Sequence, residues 1–155
     1  MGIFSFLKKD PSAYFSETEK DAILEAIKNA ELRTSGEVRL FIESRCRFVN
    51  PIDRAAELFF LLKMDKTADR NAVLVYVAMK DKQFAVFADE GIYKAVGKEY
   101  WIQKAEAMLQ SFSSEKYGPG LVKVINDVGE ALHFHFPYNK EVDKNELPDD
   151  IVFGK

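Results

Sequence analysis

Asp65-Lys66-Thr67-Ala68-Asp69-Arg70-Asn71-Ala72-Val73-Leu74-Val75-Tyr76-Val77-Ala78 decides the fold, because a short acidic loop runs straight into an apolar, β-branched run. The charged turn Lys80-Asp81-Lys82 follows, then a second apolar run, Phe84-Ala85-Val86-Phe87-Ala88, which ends on Asp89-Glu90-Gly91. Two such runs across a tight turn make an antiparallel hairpin. The loop before its first strand and the loop after its second then share one edge of the sheet. Asp65, Asp69, Asp89 and Glu90 therefore approach one another in space, although ~20 residues of chain separate the two loops. Clustered carboxylates need a compensating positive charge. A hard divalent cation such as calcium suits oxygen ligands of this kind.

Working outward, Glu37-Val38-Arg39-Leu40-Phe41-Ile42-Glu43 alternates, with Val38, Leu40 and Ile42 on one face, and reads as a strand. Asn50-Pro51 opens a helix, with Asn as cap and Pro at the first helical position. That helix carries Ala55, Leu58, Phe59 and Leu62 and breaks near Met64. Strand, helix, strand implies a right-handed crossover with the two strands parallel, which puts Glu37 at the same edge as Asp69.

Ser16-Glu17-Thr18-Glu19 has the capping-box pattern for a helix with Ile23, Ile27 and Ala30 on one face, stopped by Thr34-Ser35-Gly36. After the hairpin, the stretch from Gly91 to Gly97 reads as a short helical turn. Trp101, Ala105, Met108 and Phe112 space out a long helix. Tyr117-Gly118-Pro119-Gly120 reads as a break. Leu121, Val124, Ile125, Val128 and Leu132 mark a last helix, ended by Phe136-Pro137. The sum is an α/β protein, a three-layer α/β/α sandwich around a mixed central sheet of four strands or three. Residues 1–14 form an N-terminal segment, 15–137 the domain, and 138–155 a charged tail from which Leu147, Ile151, Val152 and Phe153 could dock back.

Length and composition narrow the function. The 155 residues fit one domain with a real core. A hydrophobic fraction of 47% argues against disorder. A net charge of -3 without a basic stripe argues against nucleic-acid binding. The single cysteine, Cys46, allows neither an internal disulfide nor a thiolate zinc cluster, and fits a reducing, cytoplasmic setting. No apolar run nears the ~20 residues that span a bilayer. Met1-Gly2-Ile3-Phe4-Ser5-Phe6-Leu7-Lys8-Lys9 is apolar, but its lysines follow the apolar residues, so it does not read as a secretory signal. Phe6 stands where myristoylation requires Ser or Thr. This segment is expected to pack on the domain, and the protein to be a monomer.

From Phe15 to Pro137 the chain resembles the TPM domain family. The resemblance rests on Phe15-Ser16 with its helix, Gly36-Glu37-Val38, Asp69-Arg70-Asn71-Ala72-Val73-Leu74, Asp89-Glu90-Gly91-Ile92 and Gly118-Pro119-Gly120-Leu121. Family members commonly carry Asn-Gly where this chain has Asn71-Ala72, and many carry Gly in place of Asp89. The family includes thylakoid-lumen proteins of photosystem II repair and membrane-anchored proteins, and the resemblance implies a stand-alone cytoplasmic version here. It also implies divalent metal, commonly calcium, at sheet-edge loops, and raises acid phosphatase activity, which has been attributed to plant members.

The expected metal ligands are Asp65, Asp69, Asp89 and Glu90, with loop carbonyls completing the shell, Asn71 adding an amide oxygen and Glu37 further out. The competing reading is ordinary solvated loop charge, with Asp69 capping its own turn. The work of a metal-binding form would be metal-responsive interaction with a protein partner. A metal-dependent phosphatase acting on phosphomonoesters is the alternative; it needs a cation for the phosphate, which Arg70 could supply. Arg39, Arg45 and Arg47 are other basic groups, the last two toward the opposite end of their strand. No P-loop and no Cys-x5-Arg loop is present, since Ile52 stands where the arginine would be. A Cys46–His133 or Cys46–His135 pair would be the nucleophilic option, but a lone cysteine is usually core and a histidine at a helix end usually serves the last carbonyls.

Overall fold

The computed structural model describes residues 11–138 and 151–154. Among these, four strands form one mixed sheet: β1 (Glu37–Glu43), β2 (Ala72–Ala78), β3 (Gln83–Ala88) and β4 (Ile151–Phe153). Their spatial order is β3-β2-β1-β4. The hairpin forms as expected, with Leu74 opposite Phe87 and Tyr76 opposite Ala85 in antiparallel register. β1 runs parallel to β2, with Glu37 opposite Ala72. All seven residues of β2 are buried, which is why its sequence is a continuous apolar run rather than an alternating one.

The fourth strand comes from the segment that the sequence sets apart as a tail. Ile151, Val152 and Phe153 pair parallel with Leu40, Phe41 and Ile42. Leu147 and the segment from Met1 to Lys9 lie outside the described residues.

Five helices complete the three layers: α1 (Glu17–Leu32), α2 (Pro51–Leu61), α3 (Glu90–Val96), α4 (Lys98–Ser113) and α5 (Tyr117–His135). The Ser16 hydroxyl accepts from the Glu19 N–H at 3.1 Å, and Glu19 Oε1 accepts from the Ser16 N–H at 3.0 Å, so the capping box closes. Asn50 caps α2 by accepting from the Ile52 N–H at 3.1 Å, with Pro51 in the first turn. Ile23, Ile27, Trp101, Met108, Leu121, Ile125 and Leu132 pack with Val38, Leu40 and Val75 on one face of the sheet. α2 covers the other face, where Leu58 and Phe59 meet Phe41, Leu74 and Tyr76. Fully burying a side chain such as Phe59 or Ile27 stabilises the fold by roughly 1.5–3 kcal/mol.

Tyr117-Gly118-Pro119-Gly120 is not a break but the first turn of α5. Proline is tolerated there because its missing N–H would have no helical partner. The glycines serve packing: a Cβ on Gly118 would lie 2.3 Å from Glu19 Oε2, and one on Gly120 would lie 2.7 Å from Ser111 Cβ. The break itself falls at Ser114–Lys116, between α4 and α5.

Candidate functional site

Two loops meet at the edge where β1 and β2 begin and β3 ends. The first leaves α2, passes through a 3-10 turn at Met64–Lys66 and reaches Asn71. Met64 anchors that turn in the core. The Arg70 N–H reaches the Thr67 carbonyl at 3.3 Å, and the Asn71 N–H reaches the Thr67 hydroxyl at 3.2 Å. Arg70 takes the left-handed conformation, φ 51°. The second loop is the single residue Asp89, which caps α3 by accepting from the Glu90 N–H at 2.8 Å. The Gly91 N–H then donates to the Arg70 carbonyl at 2.9 Å. Only glycine fits at 91, since a Cβ there would stand 2.2 Å from the Asp69 carbonyl oxygen.

The positive charge that the clustered carboxylates require is present in the chain. Arg70 donates from Nε to Asp89 Oδ2 at 2.7 Å and from a terminal nitrogen to Asp89 Oδ1 at 2.8 Å, a bidentate fork. Its other terminal nitrogen lies 3.5 Å from Glu90 Oε1. The Asp89 hydrogen bonds, then the charges of Asp89, Glu90 and Asp65, hold the guanidinium above its ordinary pKa. Asp89 is buried, only 3% exposed, while the Arg70 side chain is 38% exposed.

Of the four expected ligands, Asp89 and Glu90 pair with one guanidinium, and Asp65 acts on it only through its charge. Asp65 also pairs with Lys66 at 3.5 Å. Asp69 is exposed, and what it brings to the junction is its backbone carbonyl against Gly91. Asn71 is buried; its amide nitrogen donates to the Ser35 hydroxyl at 3.2 Å, and its Oδ1 accepts no hydrogen bond. Glu37 is buried at the same edge, one strand over. The donor chemistry suits a hard cation: carboxylates, loop carbonyls and a buried amide oxygen. The present pose does not, because both Asp89 oxygens are engaged. Among the described residues no three acidic, histidine or cysteine side chains converge as a metal would require.

A second polar cluster, which the sequence reading missed, lies at the opposite edge. Glu43 ends β1 buried and receives Arg54 of α2 at both oxygens, at 2.9 and 3.0 Å. The fully buried Tyr76 hydroxyl donates to Glu43 Oε2. Burial, then its bonds to Glu43 and Cys46, drives the Tyr76 phenol far above its usual pKa. The Cys46 N–H bonds Asp81 at 2.8 Å, tying this end to the hairpin turn. His133 and His135 end α5, near Thr34 and the start of β1, so the sheet separates them from Cys46 and no Cys–His pair forms. His133 Nδ1 instead meets the Arg33 carbonyl at 2.8 Å.

A family model for the TPM domain matches residues 8–131. The chain belongs to the TPM domain family. Its structure is similar to the NMR structure of the BA42 protein from the psychrophilic bacterium Bizionia argentinensis, with a TM-score of 0.83 and 37% identity over 95% of this chain and 100% of that one. The N-terminal domain of the cg2496 protein from Corynebacterium glutamicum shares the fold, with a TM-score of 0.62 and 13% identity over 80% of each chain. No curated protein matches this chain. Among the described residues of this TPM domain, no helix is long and apolar enough to cross a membrane.

Proposed function

We propose that this TPM domain is an interaction module that takes a divalent cation, calcium or one of its kind, at the acidic edge, and that the cation tunes its contact with a protein partner. The supporting observation is that Asp89 and Glu90 pair with Arg70, whose guanidinium also feels the charge of Asp65, at the edge where β2 begins and the buried Asn71 Oδ1 accepts no hydrogen bond. Asp65, Asp69, Asp89, Glu90 and Asn71 would hold the ion. The ion supplies positive charge that joins the 64–71 loop to α3.

No observation favours the phosphatase reading. A phosphate would meet an arginine fork already engaged by Asp89 and a surround rich in carboxylates. A calcium titration tests the module, followed by amide NMR and calorimetry on chelator-treated protein. The expected result is movement of loop resonances in 64–71 and 89–91 and a rise in melting temperature with calcium. Unmoved resonances and an unchanged melting temperature sink it. Phosphomonoester turnover that stops on chelation would put the enzyme in its place.

A further inference from the structure

Independently of any cation at the acidic edge, we propose that the outer side of β1 is a seat for an added strand, and that β4 is its resident but replaceable occupant. The partner it fits is a protein with an extended segment that reads aliphatic, aliphatic, any residue, glycine. Such a segment joins the sheet by strand addition, in the place where the chain's own β4 now lies.

The strand on the seat defines its chemistry. The Gly154 N–H donates to the Ile42 carbonyl at 2.7 Å, so Ile42 and, two residues back, Leu40 turn their main-chain groups to this side. Both residues are fully buried, and those groups need a strand or water to bond. Side chains are read on both faces of the sheet. Ile151 packs into the core on the α1 and α5 side, and Val152 into the core under α2. Position 154 takes glycine, since a Cβ there would stand 2.7 Å from Phe41 Cε1 and 2.9 Å from Glu43 Cβ. The occupant is held lightly. Its ladder is three residues long and parallel, Ile151 and Val152 are only half-buried, and Phe153 is 36% exposed. A second copy's β4 would make the same contacts without the tether through residues 139–150, which keeps the chain's own strand at a roughly millimolar effective concentration. A partner strand gains more, because β1 has seven residues and β4 pairs with three of them.

Competition by β4 lowers a partner's apparent affinity by the fraction of molecules whose seat is empty, on the order of 1–10% for a lightly held strand. The probe is a fluorescent peptide with the sequence of residues 147–155. It is titrated into the full-length wild type, Val152→Asp and Gly154→Val, and followed by anisotropy and amide NMR. Val152→Asp puts a charge in an apolar seat, and Gly154→Val puts a side chain against Phe41 and Glu43, so each should empty the seat of a folded domain. Both variants should bind the peptide roughly tenfold to a hundredfold more tightly than wild type. The amides of Leu40–Glu43 should move, and those of the 64–71 loop should not. A peptide carrying Gly154→Val should not bind. Under excess peptide, the wild type's own β4 amides should leave their paired positions. If both variants unfold the domain, β4 is a fixed part of the fold and the inference fails. It fails too if the folded variants ignore the peptide, if wild type binds it equally tightly, or if the Gly154→Val peptide binds as well as the original. A wild-type dimer with exchanged β4 strands would make a second copy the occupant and end the partner reading. No readout involves calcium, so failure here leaves the cation reading standing.

Discussion

Glu43 and Asp89 are both buried carboxylates, each spanned by one arginine, at opposite edges of the same sheet. What surrounds them differs. Glu43 is joined by the buried Tyr76 hydroxyl, and Arg54 lies along the base of α2, 5.9 Å over the Phe41 ring and only 22% exposed. Asp89 is held between two loops by a more exposed arginine, with a half-buried and two exposed carboxylates close by. In open α/β sheets ligands usually bind beyond the carboxyl ends of the parallel strands. Here that edge is filled by the Glu43 cluster, and the accessible chemistry lies at the amino ends of β1 and β2. The Glu43 fork is sealed in the structure, whereas the Arg70 fork has solvent beside it.

Removing one partner from each fork gives the largest expected effect and the sharpest test of this difference. Glu43→Ala takes two of the bonds of Arg54, leaving it only Glu57, and removes the acceptor of the buried Tyr76 hydroxyl, and should cost about 3–5 kcal/mol in urea denaturation. Asp89→Ala removes a helix cap and leaves an arginine that is 38% exposed and can be solvated, and should cost about 1 kcal/mol. Equal losses would break the comparison. Gly91→Ala comes next. Its new methyl would meet the Asp69 and Arg70 carbonyl oxygens at 2.2 and 2.7 Å, both backbone, so the two loops must part. A loss of about 1–3 kcal/mol is expected, with faster amide exchange confined to residues 67–71 and 89–92. A neutral Gly91→Ala would mean that the junction is looser than its hydrogen bonds imply.

Tyr76→Phe is smaller, about 1 kcal/mol at neutral pH, because Glu43 keeps both bonds to Arg54. It carries a pH signature. Burial, first, holds the folded-state pKa above the ordinary phenol value of 10.0. A raised pKa gives stability that is present below 10.0 and is lost as the pH rises above it, once the unfolded phenol ionises. Wild type should lose stability in that alkaline range, and Tyr76→Phe should lose less. Parallel alkaline curves would show that the phenol is not sealed.

Local interactions were the legible ones. Ser16 with Glu19, Asn50 with Pro51, and the two apolar runs around Lys80–Lys82 each act within a few residues, so spacing alone reveals them. The meeting of the two acidic loops followed from hairpin geometry. The identity of their counter-ion did not, because the Arg70–Asp89 fork depends on side-chain torsions and on a left-handed backbone at Arg70. The adjacent Asp69-Arg70 pair is the available signal, but in the sequence Arg70 reads only as a cation for a phosphate. Glu43 meets Arg54 and Tyr76 across 11 and 33 residues of chain, on three elements, and no periodicity marks such a triad. β4 was hard to read for another reason: three residues are too few for alternation to register. The turn Tyr117–Gly120 misled because glycine and proline punctuate chains, yet both are acceptable in a first helical turn packed against a neighbour.

A third arginine–carboxylate pair sets the zero of the scale. Arg33 bonds Glu130 across the ends of α1 and α5, with both side chains largely in solvent. Water screens such a pair, and holding two long side chains in one pose opposes the attraction. The hydrogen bond from Arg33, then its charge, lowers the Glu130 pKa below its ordinary value of 4.5. A lowered carboxylate pKa gives stability that is present above 4.5 and is lost as the pH falls through the folded value. Melting curves of wild type and Arg33→Gln should therefore nearly coincide at neutral pH, and whatever gap exists should close as the pH drops below 4.5. A gap as large as that of Glu43→Ala would mean that exposure does not rank these forks, and the distinction between the sealed and the accessible edge would go with it.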